Sequence, residues 1–187
     1  MTEVYVSIDI EADGPIPGKH SMLSLGAAAF TLKDGHISSF SSNLKELPGA
    51  IQDPDTMINF WDRNPEAWEE CRKEIQDPRG SITAFVEWVK RLPGKPVCVG
   101  YPATFDFMFV YWYIRYFDLE SPLSFSAIDM KSYIMAMLKT DYRKIGKRSM
   151  PRRWFSSKNK HTHIAVDDAI EQGEMFIKIL RENLGVK

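Results

Sequence analysis

Val4, Val6, Ile8 and Ile10 alternate with other residues, and this period of two predicts a β-strand over 4–10. Ser24–Thr31 and His36–Leu44 read as two further strands. Lys33-Asp34-Gly35 lies between them, and Asp-Gly there favours a hairpin. The pattern then changes to helical spacing. Asn64-Pro65 predicts a helix start, with Asn as cap and Pro in the first turn, running to about Ile75. Phe85, Trp88, Val89 and Leu92 recur at helical spacing in a second helix, Ser81–Leu92. Pro96–Gly100 reads as a short buried strand and Phe105–Phe117 as a helix apolar on nearly all sides, hence largely internal. Ser126–Met130 reads as a short strand leading into a helix to about Leu138. Ala165–Leu184 is the last helix, with Ala169, Phe176, Ile179 and Leu180 on or near its inner face. Hairpins first and alternating helices and strands later imply an α/β domain, a mixed sheet with helices packed on it.

Composition adds bounds rather than an answer. A chain of 187 residues, 44% hydrophobic and 12% aromatic, can bury a core as one domain spanning 1–187. The net charge of -1 announces no partner, but its distribution is uneven. Lys139–Lys160 holds nine Lys or Arg and one acid, Asp141. The stretch from Asp141 to Thr162 lacks periodicity and is expected to be irregular, a length more often functional or mobile in a compact domain. Cys71 and Cys98 form no CxxC pair, which suits reduced thiols in a cytoplasmic protein. The longest apolar run, Phe107–Ile114, is far short of a membrane span, and neither a leader nor a membrane anchor is expected.

The acidic residues carry the chemistry. Asp9 and Glu11 are two apart on the first predicted strand, so both side chains share a face opposite Val4, Val6, Ile8 and Ile10. Neighbouring carboxylates repel and raise one another's pKa unless a cation lies between them. A solvent-facing acidic edge is the plainer alternative. Asp106 opens the apolar helix, where an acid can also complement the helix dipole. Asp168 stands near the start of the last helix, about 100° round from Asp167, so one of the two is expected to reach a site. His163 and His161 precede it, and the residues alone do not choose between them. Carboxylates beside apolar stretches suit an oxygen-ligated divalent cation, and an imidazole supplies a base titrating near neutral pH. The combination suggests metal-assisted hydrolysis of a phosphodiester.

The three segments together resemble a known family. Asp-x-Glu at Asp9 and Glu11, Asp106 after Gly-Tyr-Pro-Ala-Thr-Phe, and His-x-Ala-x-x-Asp-Ala around His163 and Asp168 are similar, in this order, to the DEDDh 3′–5′ exonucleases. That family includes proofreading subunits of DNA polymerases, RNase T and oligoribonuclease. The resemblance spans roughly Val4 to Leu184 and implies an RNase H-like mixed β-sheet, antiparallel hairpins plus parallel strands, flanked by α-helices. It implies that Asp9, Glu11, Asp106 and Asp168 ligate two Mg²⁺, with Mn²⁺ able to substitute. It selects His163 as general base, since the family's histidine lies five positions before the last aspartate. Ile164, four positions before it, excludes the tyrosine subgroup. The chain departs from the pattern at Tyr101-Pro102, where many members carry His-Asn.

The implied substrate is single-stranded or tailed RNA, trimmed from its 3′ end to 5′-mononucleotides, with DNA as the alternative and a nucleic-acid-binding module without catalysis as another. Met22 and Leu23, just past the Gly14–Gly18 loop, are candidates to wedge against the terminal base. Phe60, Trp61, Phe105 and Phe107 are candidates for base stacking, although aromatics at such spacing are more often core. Arg152, Arg153 and Lys158 are candidates for phosphate contacts. Small exoribonucleases of this kind are often homodimers, and Trp61, Trp68 and Trp112 offer either an apolar patch for that purpose or monomer core.

Overall fold

The structure is a computed structural model and describes residues 2–146, 148–155 and 163–186. Strand β1 (Glu3–Ala12) is the centre of a five-stranded sheet. It pairs antiparallel with β2 (Met22–Thr31), which pairs antiparallel with β3 (Gly35–Asn43). On its other side β1 runs parallel to β4 (Lys95–Gly100), and β4 parallel to β5 (Ala127–Asp129), giving the order β3-β2-β1-β4-β5. The mixed α/β sheet read from the sequence is the one observed, with each expected strand present within one or two residues of its ends.

Both faces of β1 are covered, because successive side chains point to opposite sides. Val6, Ile8 and Ile10 join Leu25 and Ala27 in a core completed by α3 (Pro78–Lys90) and α4 (Ala103–Tyr116). Tyr5 faces the other way, into a second core with Ala28, Phe30, Val99, α5 (Met130–Leu138) and α6 (Ala165–Leu184). Asp9 and Glu11 share the face of Tyr5, at the end of the strand where the α6 side opens. Helix α6 lies directly on β2 because position 26 is glycine. A Cβ there would come within 2.1 Å of the Ala165 carbonyl carbon. No helix of the described residues is long and apolar enough to cross a membrane.

Several boundaries differ from expectation, each for a local reason. A short helix, α1 (Pro54–Asn59), went unanticipated although Asp53-Pro54 marks it; the Asp53 carboxylate accepts from Thr56 N–H at 2.9 Å. Asn64 does not cap α2 (Pro65–Cys71) with its side chain, which instead donates to Phe60 O at 2.8 Å. That helix stops four residues short of Ile75. Asn43 Nδ2 takes the carbonyls of Glu70 and Lys73, at 2.9 and 2.8 Å, and Gln76 must leave to bridge Leu44. Helix α3 starts early because Asp77 caps it through Gly80 N–H, 2.9 Å away. The basic segment is not purely solvated loop: 3-10 turns form at Tyr142–Lys144 and Arg152–Trp154, and Ile145, Met150 and Trp154 are buried.

The cost of this close packing can be read directly. Gly26→Ala should lower unfolding stability by about 1–3 kcal/mol, the usual range for an overpacked core, because backbone rather than a flexible side chain blocks the new methyl. Gly146→Ala, with nothing within 4 Å, is the control and should melt as the wild type does. Denaturant titration of both variants is the measurement.

Candidate active site

Four elements meet at the C-terminal end of β1, the position where ligands bind in open α/β sheets. Strand β1 brings Asp9 and Glu11 and is bulged between Glu11 and Ala12. The turn after β4 starts α4, whose first helical turn carries Asp106. The Asp106 Oδ1 accepts from Ile10 N–H at 3.2 Å, which ties α4 to β1 between the two strand carboxylates. Helix α6 brings Asp168 in its own first turn, 2% exposed. His163 precedes that helix with a φ of 55°, a left-handed conformation that few residues outside glycine adopt. Its ring meets Phe60 edge-to-face, centroids 5.2 Å apart.

The convergence is tight. Glu11, His163 and Asp168 each offer one ligand atom, and the three atoms lie within 4.8 Å of one another. Asp9 faces the same centre, with its Oδ1 accepting from Gln172 Nε2 at 2.8 Å. Glu11 is pushed up to about 8 by burial first and by the charges of Asp168 and Asp106 second. Asp106 is pushed up to about 7 by burial, against the pull of the Ile10 hydrogen bond. Asp9 lies well above the ordinary carboxylate range, from burial first and then Asp106, Glu11 and Asp168. None of the described residues lining the cleft is Lys or Arg. An all-carboxylate oxygen set that lacks a cationic side chain fits a hard divalent cation.

The cleft itself measures about 440 Å³, and Ile10, Gly14, Thr56, Phe60, Phe105 and the site residues wall it. Helix α1 forms its lip and is fixed to β1 from behind: Trp61 Nε1 donates to Ala12 O at 3.1 Å, and Asp53 N–H to Asp13 O at 2.8 Å. The Gly14–Gly18 loop is held too. Gly14 packs on the His20 ring and Gly18 on Trp112, each too close for a Cβ.

The expected substrate contacts divide sharply. Phe60 and Phe105 line the cleft, half-buried. Phe107 is not among its lining residues and packs instead beside the core of α4. Met22 and Leu23 do not form a wedge: both lie in β2, at 0% exposure, inside the cores. Trp61 is 2% exposed and cannot offer a face to a base, since its indole serves the Ala12 hydrogen bond. Trp61 and Trp68 belong to one small core cluster and Trp112 to another, so they do not make a single patch. Arg153 is turned away from the site, in a two-pronged ion pair with Glu182 at 2.8 and 2.6 Å. Glu182 is fourteen residues beyond Asp168 on α6, or about 21 Å along the helix. Arg152 is exposed in the same turn, next to that anchor. Lys158 and His161 lie outside the described residues.

Two participants escaped sequence reasoning. Gln172 is one helical turn after Asp168 and so shares its face, which was a readable signal. Thr56 reaches the cleft only because α1 folds over β1, which no local pattern announces.

Three comparisons with known proteins bear on this geometry. No family model matches the chain. Among curated proteins, the 3′-5′ DNA exonuclease Cap18 of Escherichia coli is 27% identical over 179 residues, covering 93% of this chain and 90% of that one. Among solved structures, the nuclease domain of 3′hExo, a DEDDh family member bound to rAMP, has a TM-score of 0.74 at 11% identity, covering 100% of this chain and 96% of the other. The E. coli ExoI–ssDNA complex has a TM-score of 0.71 at 15% identity, covering 99% of this chain and 42% of the other. The chain therefore has the RNase H-like fold of these exonucleases, and it resembles the DEDDh enzymes in its motifs as well as in its fold.

The raised carboxylate pKa values have a definite sign. A group raised on folding holds protons that the unfolded chain releases, so its contribution is fully present below the unfolded value and lost as pH rises through the folded one. For Glu11 that window runs from 4.5 to about 8. Without divalent metal the melting temperature should fall between pH 5 and pH 8.5, and millimolar Mg²⁺ should flatten that fall. Melting curves in chelator and in Mg²⁺ across the range are the check, and a metal-independent slope would argue against a cation site.

Proposed function

We propose that this chain is a 3′–5′ exonuclease of the DEDDh type, releasing 5′-mononucleotides from single-stranded 3′ ends. The observation that carries the reading is the meeting of Asp9, Glu11, Asp168 and His163 at one cleft that has aromatic walls and no Lys or Arg among its described lining residues, with Asp106 held at the Ile10 amide between the two strand carboxylates. Asp9, Glu11, Asp106 and Asp168 are the residues that would hold two Mg²⁺, or Mn²⁺ in their place. Bound there, the cations would supply the positive charge that offsets the phosphodiester and its entering and leaving oxygens.

The residues themselves divide the remaining work. His163 acts as general base, taking the proton of the attacking water at its imidazole nitrogen. Phe60 holds that imidazole edge-on and keeps one side of it dry. Phe60 and Phe105 flank the terminal nucleoside, whose faces suit aromatic contact irrespective of base. Gln172 keeps the Asp9 carboxylate turned toward the centre.

DNA is our leading polymer, because the curated relative covering nearly the whole chain is named for it. RNA, the polymer favoured by the motif resemblance, is the second reading. It is supported by fold neighbours bound to rAMP and to a histone mRNA stem-loop. Matched RNA and DNA oligomers separate the two through the 2′-hydroxyl.

The test is a time course on 3′- and 5′-labelled single strands with Mg²⁺ or Mn²⁺. Mononucleotides should appear from the 3′ end, and circular strands should stay intact. Asp106→Ala and Asp168→Ala should abolish turnover even at saturating Mg²⁺. His163→Ala should lose about 10²–10⁴-fold in kcat, the scale of general-base catalysis. Cleavage of circular strands would replace the exonuclease reading with an endonuclease, and a fully active Asp168→Ala would remove that residue from the site.

A further inference from the structure

A cleft of about 440 Å³ has room for one nucleoside, so the rest of a polymer extends past the carboxylates. A second, smaller cavity of about 60 Å³ opens there. Asp9 and Asp168 form one wall of it and Tyr101, Phe155, Gln172 and Met175 the remainder, together with Glu171. Of these two cavities, Phe60 and His163 line only the first. The carboxylates therefore stand between the aromatic cleft and a narrower cavity edged by Tyr101.

The surface beyond Tyr101 is basic and aromatic. Ala103 N–H donates to Asp129 Oδ2 at 3.2 Å, while Asp129 Oδ1 caps α5 through Ser132 N–H at 2.8 Å. These two bonds bring the first turn of α5, with Lys131, against the turn that carries Tyr101. The Lys131 ammonium in turn stands 4.3 Å from the centre of the Tyr142 ring. Tyr142 is 44% exposed and Arg143 beside it is exposed as well. The 3-10 turn Tyr142–Lys144 buries none of its residues, so packing does not account for a tyrosine there. Aromatic faces interleaved with cations along a track from a catalytic centre are what a single strand needs, bases on rings and phosphates near charge.

We propose that the nucleic-acid strand 5′ of the scissile bond runs from the carboxylates across Tyr101 and onto Lys131, Tyr142 and Arg143. This inference rests on the exonuclease reading for its substrate and adds a second, separate binding site to it. The first site selects a 3′ end, and the second grips length.

The experiment compares wild type with the double variant Tyr142→Ala/Arg143→Ala, both positions being exposed and outside the catalytic cleft. Kinetics in Mg²⁺ are measured on a twelve-nucleotide single strand and on a dinucleotide too short to reach the strip. The KM for the long strand should rise about 10-fold, within the range of one lost base stack. Hydrolysis of the dinucleotide should stay within twofold. Anisotropy binding of the labelled long strand in Ca²⁺ should weaken in parallel, with a salt slope shallower by about 0.7 for one lost phosphate contact. The single variant Arg143→Glu should weaken binding further than Arg143→Ala. Equal losses on long and short substrates, or unchanged long-strand binding, would overturn the proposal. A wild type that binds the long strand in the tyrosine-dependent manner but releases no mononucleotide would sink the exonuclease reading alone and leave the strip in place.

Discussion

Negative charge held out of water is the constraint on which the rest of this structure depends. Asp9, Glu11, Asp106 and Asp168 come from three different elements; burial opposes ionisation of Asp9, Glu11 and Asp106, and the neighbouring carboxylates add to it for Asp9 and Glu11. A surface cluster would relax by letting its side chains swing into solvent. Three of them are prevented from doing so: Asp106 by the Ile10 amide, Asp9 by the Gln172 amide, and Asp168 by its place on α6. The strand beneath them is covered on both faces and hydrogen-bonded on both edges, so it does not yield either. The fold thus spends part of its stability on keeping the carboxylates preorganised, and a divalent cation bound there would return that part.

What could be read from the sequence followed from how local each signal was. The period of two in Val4–Ile10 already put Asp9 and Glu11 on one face, and the structure puts that face toward α6. The apolar helix after Gly100 located Asp106, and the last helix was bounded to the residue. The substrate-side residues were harder because the decisive partner was always distant. Phe60 and Trp61 are adjacent, yet one lines the cleft while the other is sealed behind it by a hydrogen bond to Ala12, forty-nine residues away. Met22 and Leu23 follow a glycine-containing loop, which suggested exposure, but β2 begins two residues earlier than its alternation implied and draws both inside. A stretch holding nine basic residues said nothing of Glu182, which holds Arg153 and Trp154 at the far end of α6.

The basic segment accordingly has two parts with different physical roles. Around Arg152–Trp154 it is an anchor: Trp154 is 1% exposed, and its indole donates to the Glu182 carboxylate that also holds Arg153. Around Tyr142–Lys144 it is all surface. Charge counting alone treats both parts as phosphate-binding loop, whereas burial assigns structure to the part around Trp154 and leaves the part around Tyr142 open to solvent.

The geometry of the site depends as much on an absent side chain as on the acids themselves. Asp9 pairs in register with Gly26 of β2, and the bare glycine lets the start of α6 settle on the sheet at backbone contact. That approach delivers Asp168 beside Glu11 and sets His163, just ahead of the helix, in its left-handed turn against Phe60. A methyl group at position 26 would push the helix outward and move one carboxylate and the base together, while leaving Asp9 and Asp106 in place on β1 and α4. On the proposed reading, metal affinity would depend on all four acids and proton transfer on the histidine, so both would weaken through a residue remote from substrate and cation. The DxE and HxAxxDA motifs therefore meet in space only because the neighbouring strand makes room for the helix.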